Sequence, residues 1–363
     1  MNRIPTLDGW RAIAIGLVVI CHFAECLYQR QADYELSVTR YGAFGVDIFF
    51  GLSGLLITKL LLEENRRQGS FHLRAFYIRR AFRILPPYLV LLAGFTIAGM
   101  WRSGWEVASC LLFFRNYVPD SLSGGGTQHL WSLSVEEHFY LLWPGLLVVL
   151  GARKAGNWAG RLALLVGLWR LVESQLPAPL FPDAFARFRT DLRLDALLWG
   201  CAVAFLLDNA DLREKCRKQT RFLAWVSMAL VVVVSIRYFT PLTSLLLAAL
   251  IPMLMAGTLL HPQWLLSRFL DLAPLAWLGR ISYSLYLWQG FFLVPAWEHP
   301  SAWWRQAPMN LVLSFAAATA SYYLVERPMI RLGRRLLSRR FAPETPAAST
   351  PRLPAEHPVG DNA

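Results

Sequence analysis

Apolar runs long enough to cross a bilayer recur along the whole chain, separated by short polar or basic stretches. This spacing predicts an all-α, polytopic integral membrane protein. The runs fall at about residues 7–27, 44–62, 84–101, 131–152, 162–176, 192–207, 222–238, 242–260, 282–295 and 311–325, which makes about ten transmembrane helices. Residues 105–118 are shorter and interrupted. They are expected as a re-entrant or interfacial segment, because a full crossing there would put the next basic loop on the wrong side. Pro86 and Pro87 are expected in the first turn of the third span, where proline is tolerated. Residues 120–127, with Gly124, Gly125 and Gly126, read as a flexible outer loop.

Composition agrees with the pattern. Of 363 residues, 55% are hydrophobic and 17% charged, which excludes a string of soluble domains and predicts one membrane domain over residues 1–340. Residues 341–363, rich in Pro, Ala and Thr, read as a disordered cytoplasmic tail. The net charge of +12 gathers in residues 63–83, 213–221 and 327–340. Positive-inside sorting explains that distribution better than nucleic-acid binding does, and it puts both termini in the cytoplasm. Asp8 and Arg11 interrupt the basic N-terminal start and no small-residue cleavage site follows, so the first span is expected to be retained. The five cysteines show neither metal-ligand spacing nor a disulfide framework, and no metal is expected. No repeat of fixed period is evident, which weakens an inverted-repeat transporter.

The candidate chemistry starts in the first helix, which carries Asp8, Arg11 and His22 into lipid. A charge near the bilayer centre costs on the order of 3 kcal/mol, so such residues are functional candidates by default. The step from Arg11 to His22 returns to within roughly 20° of the same helical face and separates them by roughly 16 Å. A short loop to the second span would bring His22 level with Asp47, a candidate His–carboxylate pair for moving a proton. The alternative for that pair is a buried structural hydrogen bond. Ser134 and Glu137 have the spacing of a capping box, and Glu137 or its neighbour Glu136 is also a candidate for a polar pocket shared with His22. Arg80 and Arg83, one turn apart at the inner mouth of the third span, lie near the level of Arg11. Three guanidiniums there suit a polyphosphate.

At these residues the chain resembles the acyltransferase-3 family of bacterial integral-membrane acyltransferases. The resemblance rests on LDGWRAIA from Leu7 followed by His22, GVDIFF from Gly45, RAFR from Arg80, WSLSVEE from Trp131, RTDLRLD from Arg189, GRISYSLYLW from Gly279 and VERP from Val325. Gln289 stands where many members have His, Gly51 where a branched residue is usual, and His138 where Gln is usual. The resemblance implies an O-acyltransferase of the bacterial inner membrane. Its donor would be a cytoplasmic acyl-CoA, usually acetyl-CoA, and its acceptor a hydroxyl of an exported glycan such as lipopolysaccharide, capsule or exopolysaccharide, or of a lipid-linked precursor. Arg11, Arg80 and Arg83 are then expected to hold the CoA phosphates. His22 is expected to take the acceptor's proton or to carry the acyl group transiently, with Asp47 orienting it and Glu137 as a further catalytic group. Ser134, Glu136, Tyr286 and Trp288 are expected to bind substrate. The alternative is a transporter or flippase of a lipid-linked or anionic saccharide, which would consume no CoA.

Overall fold

The computed structural model describes residues 4–28, 32–176, 188–218, 241–294 and 303–340, and among them every regular element is helical. In chain order the helices are α1 (Pro5–Tyr28), α2 (Ala32–Gln68), α3 (Leu73–Ile97), α4 (Gly104–Leu111), α5 (Trp131–Glu173), α6 (Thr190–Asp208), α7 (Pro241–Leu260), α8 (Leu265–Leu270), α9 (Ala273–Phe292), α10 (Met309–Ser321) and α11 (Arg327–Arg340). Among the described residues five stretches are long and apolar enough to cross a membrane, against the about ten expected along the chain: Pro5–Leu27, Phe44–Gln68, Leu73–Ile97, Gly125–Glu173 and Leu242–Leu260. The expected span at 222–238 and the tail at 341–363 lie outside the described residues.

One of these stretches turns back on itself. Gly151 leaves helical values (φ 71°, ψ 158°), dividing α5 into two helical pieces. His138 and Trp169 both bond the first turn of α6, at Thr190 and Asp191. Trp143 and Gly156, on either side of the glycine, both lie against Phe205. The two pieces therefore run in opposite directions with Arg153 and Lys154 exposed just after the turn, which is the arrangement expected of the fourth and fifth spans.

Helix packing depends on small residues, as it does where lipid removes the hydrophobic drive between helices. α1 packs on α2 and α9, and α6 packs on both α2 and α5. A Cβ at Gly200 would overlap the backbone of Gly51, one at Gly54 the carbonyl of Leu197, and one at Gly279 the backbone of Asp8. Buried indoles are tied across helices, Trp10 donating to Thr258 (3.1 Å) and Trp143 to Thr58 (2.9 Å). Such N–H groups need a partner once water is gone.

Two local expectations change. α3 begins at Leu73, so the arginine-rich stretch before Ile84 is helix, and Pro86 and Pro87 sit in its interior rather than its first turn. Arginine is a good helix former, and an apolar run marks only the lipid-embedded part of a helix. The carbonyl of Ile84 accepts the hydroxyl of Tyr283 (2.9 Å), which ties α3 to α9.

The loop at 120–127, expected to be flexible, is pinned. Residues 125–130 form a 3-10 turn leading into α5. The fully buried carboxylate of Glu106 accepts from the backbone N–H of Arg102 (2.7 Å) and Gly124 (2.9 Å) and from the Thr127 hydroxyl. Buried Arg115 donates to the Val118 carbonyl (3.0 Å) and Ser123 Oγ (2.6 Å). Residues 105–118 form only short α4, capped by Ser103, and a 3-10 turn at Arg115–Tyr117, in keeping with a segment that does not cross.

Candidate functional site

His22, on the C-terminal half of α1, does not pair with Asp47. Its Nδ1 donates to Oε1 of Gln289 on α9, at 2.7 Å. Asp47 accepts instead from Arg193 Nη2 on α6, at 2.8 Å. The reason lies in where α2 begins. It starts at Ala32, well before the apolar run, so Gly42 lies against Cys21 and Gly45 against Ala14 and Val18. Asp47 is thus more than a turn deeper than His22.

Asp47 and Arg193 open a buried ionic ladder on α6. Arg193 also lies over the rings of Trp131 (5.4 Å) and Phe50 (5.9 Å). Two residues on, Asp195 is ion-paired to Arg170 (2.6 Å), and Arg189 reaches both Asp191 (2.5 Å) and Glu173 (3.3 Å). The alternating charges of the RTDLRLD segment are thereby used to join α2, α5 and α6. Because charges this deep are costly to leave unpaired, the ladder positions the helices that carry the site.

The three arginines do converge. Arg11 is ion-paired to Asp8 (2.8 Å) and lies within electrostatic range of Arg80 and Arg83. The Arg80 guanidinium sits over the ring of Tyr140, 5.0 Å from its centroid. Glu136 belongs to this group and not to His22. Its carboxylate accepts from Ser53 (2.6 Å) and Tyr140 (3.1 Å), and it lies within range of Arg80 and Arg83. Glu137 is near Glu136 and Arg80, and its Oε1 is buried with no hydrogen-bond partner among the described residues.

The capping box does not form. Ser134 lies inside the first turn of α5, where its hydroxyl donates to the Leu130 carbonyl and accepts the Arg115 N–H, both at 3.2 Å. The 3-10 turn before it runs straight into α5 and already bonds the Trp131 N–H. Ser134 is a support beneath the pinned loop, and its two bonds leave it little capacity for a substrate.

On α9, Tyr286 and Gln289 are three residues apart and share a face, whereas Trp288 is about 200° from Tyr286. Tyr286 bonds Ser132 Oγ (2.5 Å) and the His129 carbonyl. The buried His129 ring packs edge-on to Tyr286 and lies within electrostatic range of His22. Trp288 packs instead against Phe291 and Phe292 (centroids 5.7 and 6.2 Å). Gln289, His129, Ser53, Tyr140 and Arg193 are the members that spacing alone did not single out as site residues. A lone amide within a hydrophobic span, as at Gln289, is a signal by which one of them could have been found.

The structure is a multi-pass helical membrane protein with two polar centres inside the bundle, one of converging guanidiniums and carboxylates and one built on an imidazole. That is the equipment of a membrane-embedded group-transfer protein. The chain belongs to the acyltransferase domain family Acyl_transf_3, whose model matches residues 4–327. It is 28% identical to the peptidoglycan O-acetyltransferase OatA of Listeria monocytogenes over 91% of this chain and 56% of that protein. It is 29% identical to the putative peptidoglycan O-acetyltransferase YrhL of Bacillus subtilis, over 93% of this chain and 56% of the relative. A putative O-acetyltransferase of Staphylococcus aureus is 28% identical over 94% of this chain and 59% of its own length. The chain thus spans a little over half the length of the relatives it matches. No solved structure matches it.

Proposed function

We propose that the protein is an O-acetyltransferase that moves an acetyl group from cytoplasmic acetyl-CoA, through the helix bundle, to a hydroxyl of a glycan on the outer side. The single observation that carries this is the placement of the two centres. The Arg11, Arg80 and Arg83 guanidiniums cluster toward one end of α1, and His22 lies about three turns away along the same helix, roughly 16 Å by helical rise. An extended pantetheine arm is of that order. Charge-assisted bonds from arginine suit the CoA phosphates, and the open oxygen of Glu137 offers an acceptor to a donor group on the passing substrate. The relatives named for peptidoglycan favour a cell-wall or surface polysaccharide as the acceptor class.

His22 is the group suited to the acceptor. With Nδ1 committed to Gln289, Nε2 is the nitrogen left to take a hydroxyl proton as the oxygen attacks the thioester carbonyl. The C–O bond forms, the C–S bond breaks, and the proton ends on the leaving CoA thiolate. Tyr286, one turn from Gln289 on the same face of α9, is placed to line the acceptor side. The cytoplasmic placement of both termini, from the arginines of α11, belongs to this same account.

The test is acetyl transfer from labelled acetyl-CoA by the purified protein in nanodiscs. His22→Ala should abolish transfer while the protein inserts normally. Wild-type transfer by the variant would remove His22 from the reaction, and saccharide movement without CoA release would favour a flippase instead.

A further inference from the structure

The imidazole at the acceptor end has a partner that neither its spacing nor the family match assigns. Gln289 is fully buried on α9, and its Oε1 lies 2.7 Å from His22 Nδ1. An amide oxygen only accepts, so this contact requires the proton on Nδ1 and leaves Nε2 as the basic nitrogen. The amide nitrogen of the same side chain is buried and has no hydrogen-bond partner among the described residues. A side chain serving packing alone would be better apolar here, since a buried amide leaves a donor unsatisfied.

We infer that Gln289 is a positioning residue for the transfer step: it holds the His22 ring in the Nδ1–H tautomer and offers its own N–H pair to the oxygen of the bound substrate. The inference rests on His22 being the base. Other titratable groups on α1 and the elements packed around it at this level are Cys21, Glu25 and Cys26 of α1 itself, His129 of the turn before α5, Arg305 of the turn at Trp303–Arg305, Tyr286 of α9 and Asp47 of α2. Asp47 is committed to Arg193 and Tyr286 to Ser132 and His129, and the Glu25 carboxylate accepts from Cys21. The ordered contact made to the ring itself is the amide of Gln289.

The test uses the full chain in nanodiscs and compares Gln289→Leu, Gln289→Glu and His22→Ala for kcat, for KM of acetyl-CoA and for the pH–rate profile, with thermal unfolding as the check on folding. Gln289→Leu should lower kcat about 10- to 100-fold, with KM for acetyl-CoA within about 2-fold of wild type. Gln289→Glu, nearly isosteric, places a carboxylate on Nδ1–H and favours the protonated ring, so the rising limb of the profile should move to higher pH. A structural hydrogen bond would change unfolding and leave that limb in place. If His22→Ala is inactive while both Gln289 variants keep the wild-type kcat and profile, the inference is overturned and the base assignment stands. If His22→Ala remains active, the base assignment itself falls, and the inference with it.

Discussion

At the scale of single residues, the molecule separates groups that hold it together from groups free to react. Asp47 illustrates the first kind. Its ion pair with Arg193 is almost completely buried, so removing one member strands the other in a medium that cannot solvate it. Asp47→Ala should destabilise the fold by about 3 to 5 kcal/mol. The double variant Asp47→Ala with Arg193→Leu should recover much of that loss, which thermal unfolding in detergent would measure. A single variant of unchanged stability and abolished transfer would instead return Asp47 to a direct catalytic role. Glu137 illustrates the second kind, with an open buried oxygen where Glu136 has two donors.

At the scale of elements, the apolar runs located most helices but not their ends or partners. Depth along a helix is legible because hydrophobicity tracks the bilayer, so Arg11 could be set level with Arg80 and Arg83. Register between helices depends on where each one starts, and the polar first turns of α2 and α3 carry no hydrophobic signal. That is why spacing pairs the imidazole with Asp47 where the fold gives it Gln289, and why the apolar run sets Pro86 and Pro87 in a first turn. The pinned loop at 120–127 escaped for another reason: triple glycine reads as slack, and only the fold brings Glu106 and Arg115 beneath it. The α2–α6 contact gives a prediction at this scale. At Gly200 there is no space for a Cβ, so Gly200→Leu must part the two helices and with them the Asp47–Arg193 pair. It should cost at least 1 to 3 kcal/mol by overpacking and lower transfer. Stability and activity equal to wild type would show that the close approach is dispensable.

At the scale of the whole molecule, the proposed division is vertical: a donor bound among arginines on one side of the membrane and an acceptor activated by an imidazole toward the other. The family match covers the domain that holds both centres. The proposed orientation rests on the arginines of α11. Ser338→Cys should therefore react with an impermeant maleimide only from the cytoplasmic side, and Ser121→Cys only from the outside. Reversed labelling would invert the direction of transfer. Whether two centres divide one reaction is decided by steady-state kinetics of CoA release, with acetyl-CoA binding measured on the same purified protein. Arg83→Ala should raise the KM for acetyl-CoA about tenfold or more with kcat largely kept, while His22→Ala should abolish kcat and still bind acetyl-CoA at wild-type affinity. Loss of donor binding in the histidine variant, or an unchanged KM in the arginine variant, would show that the two centres do not divide the reaction in this way.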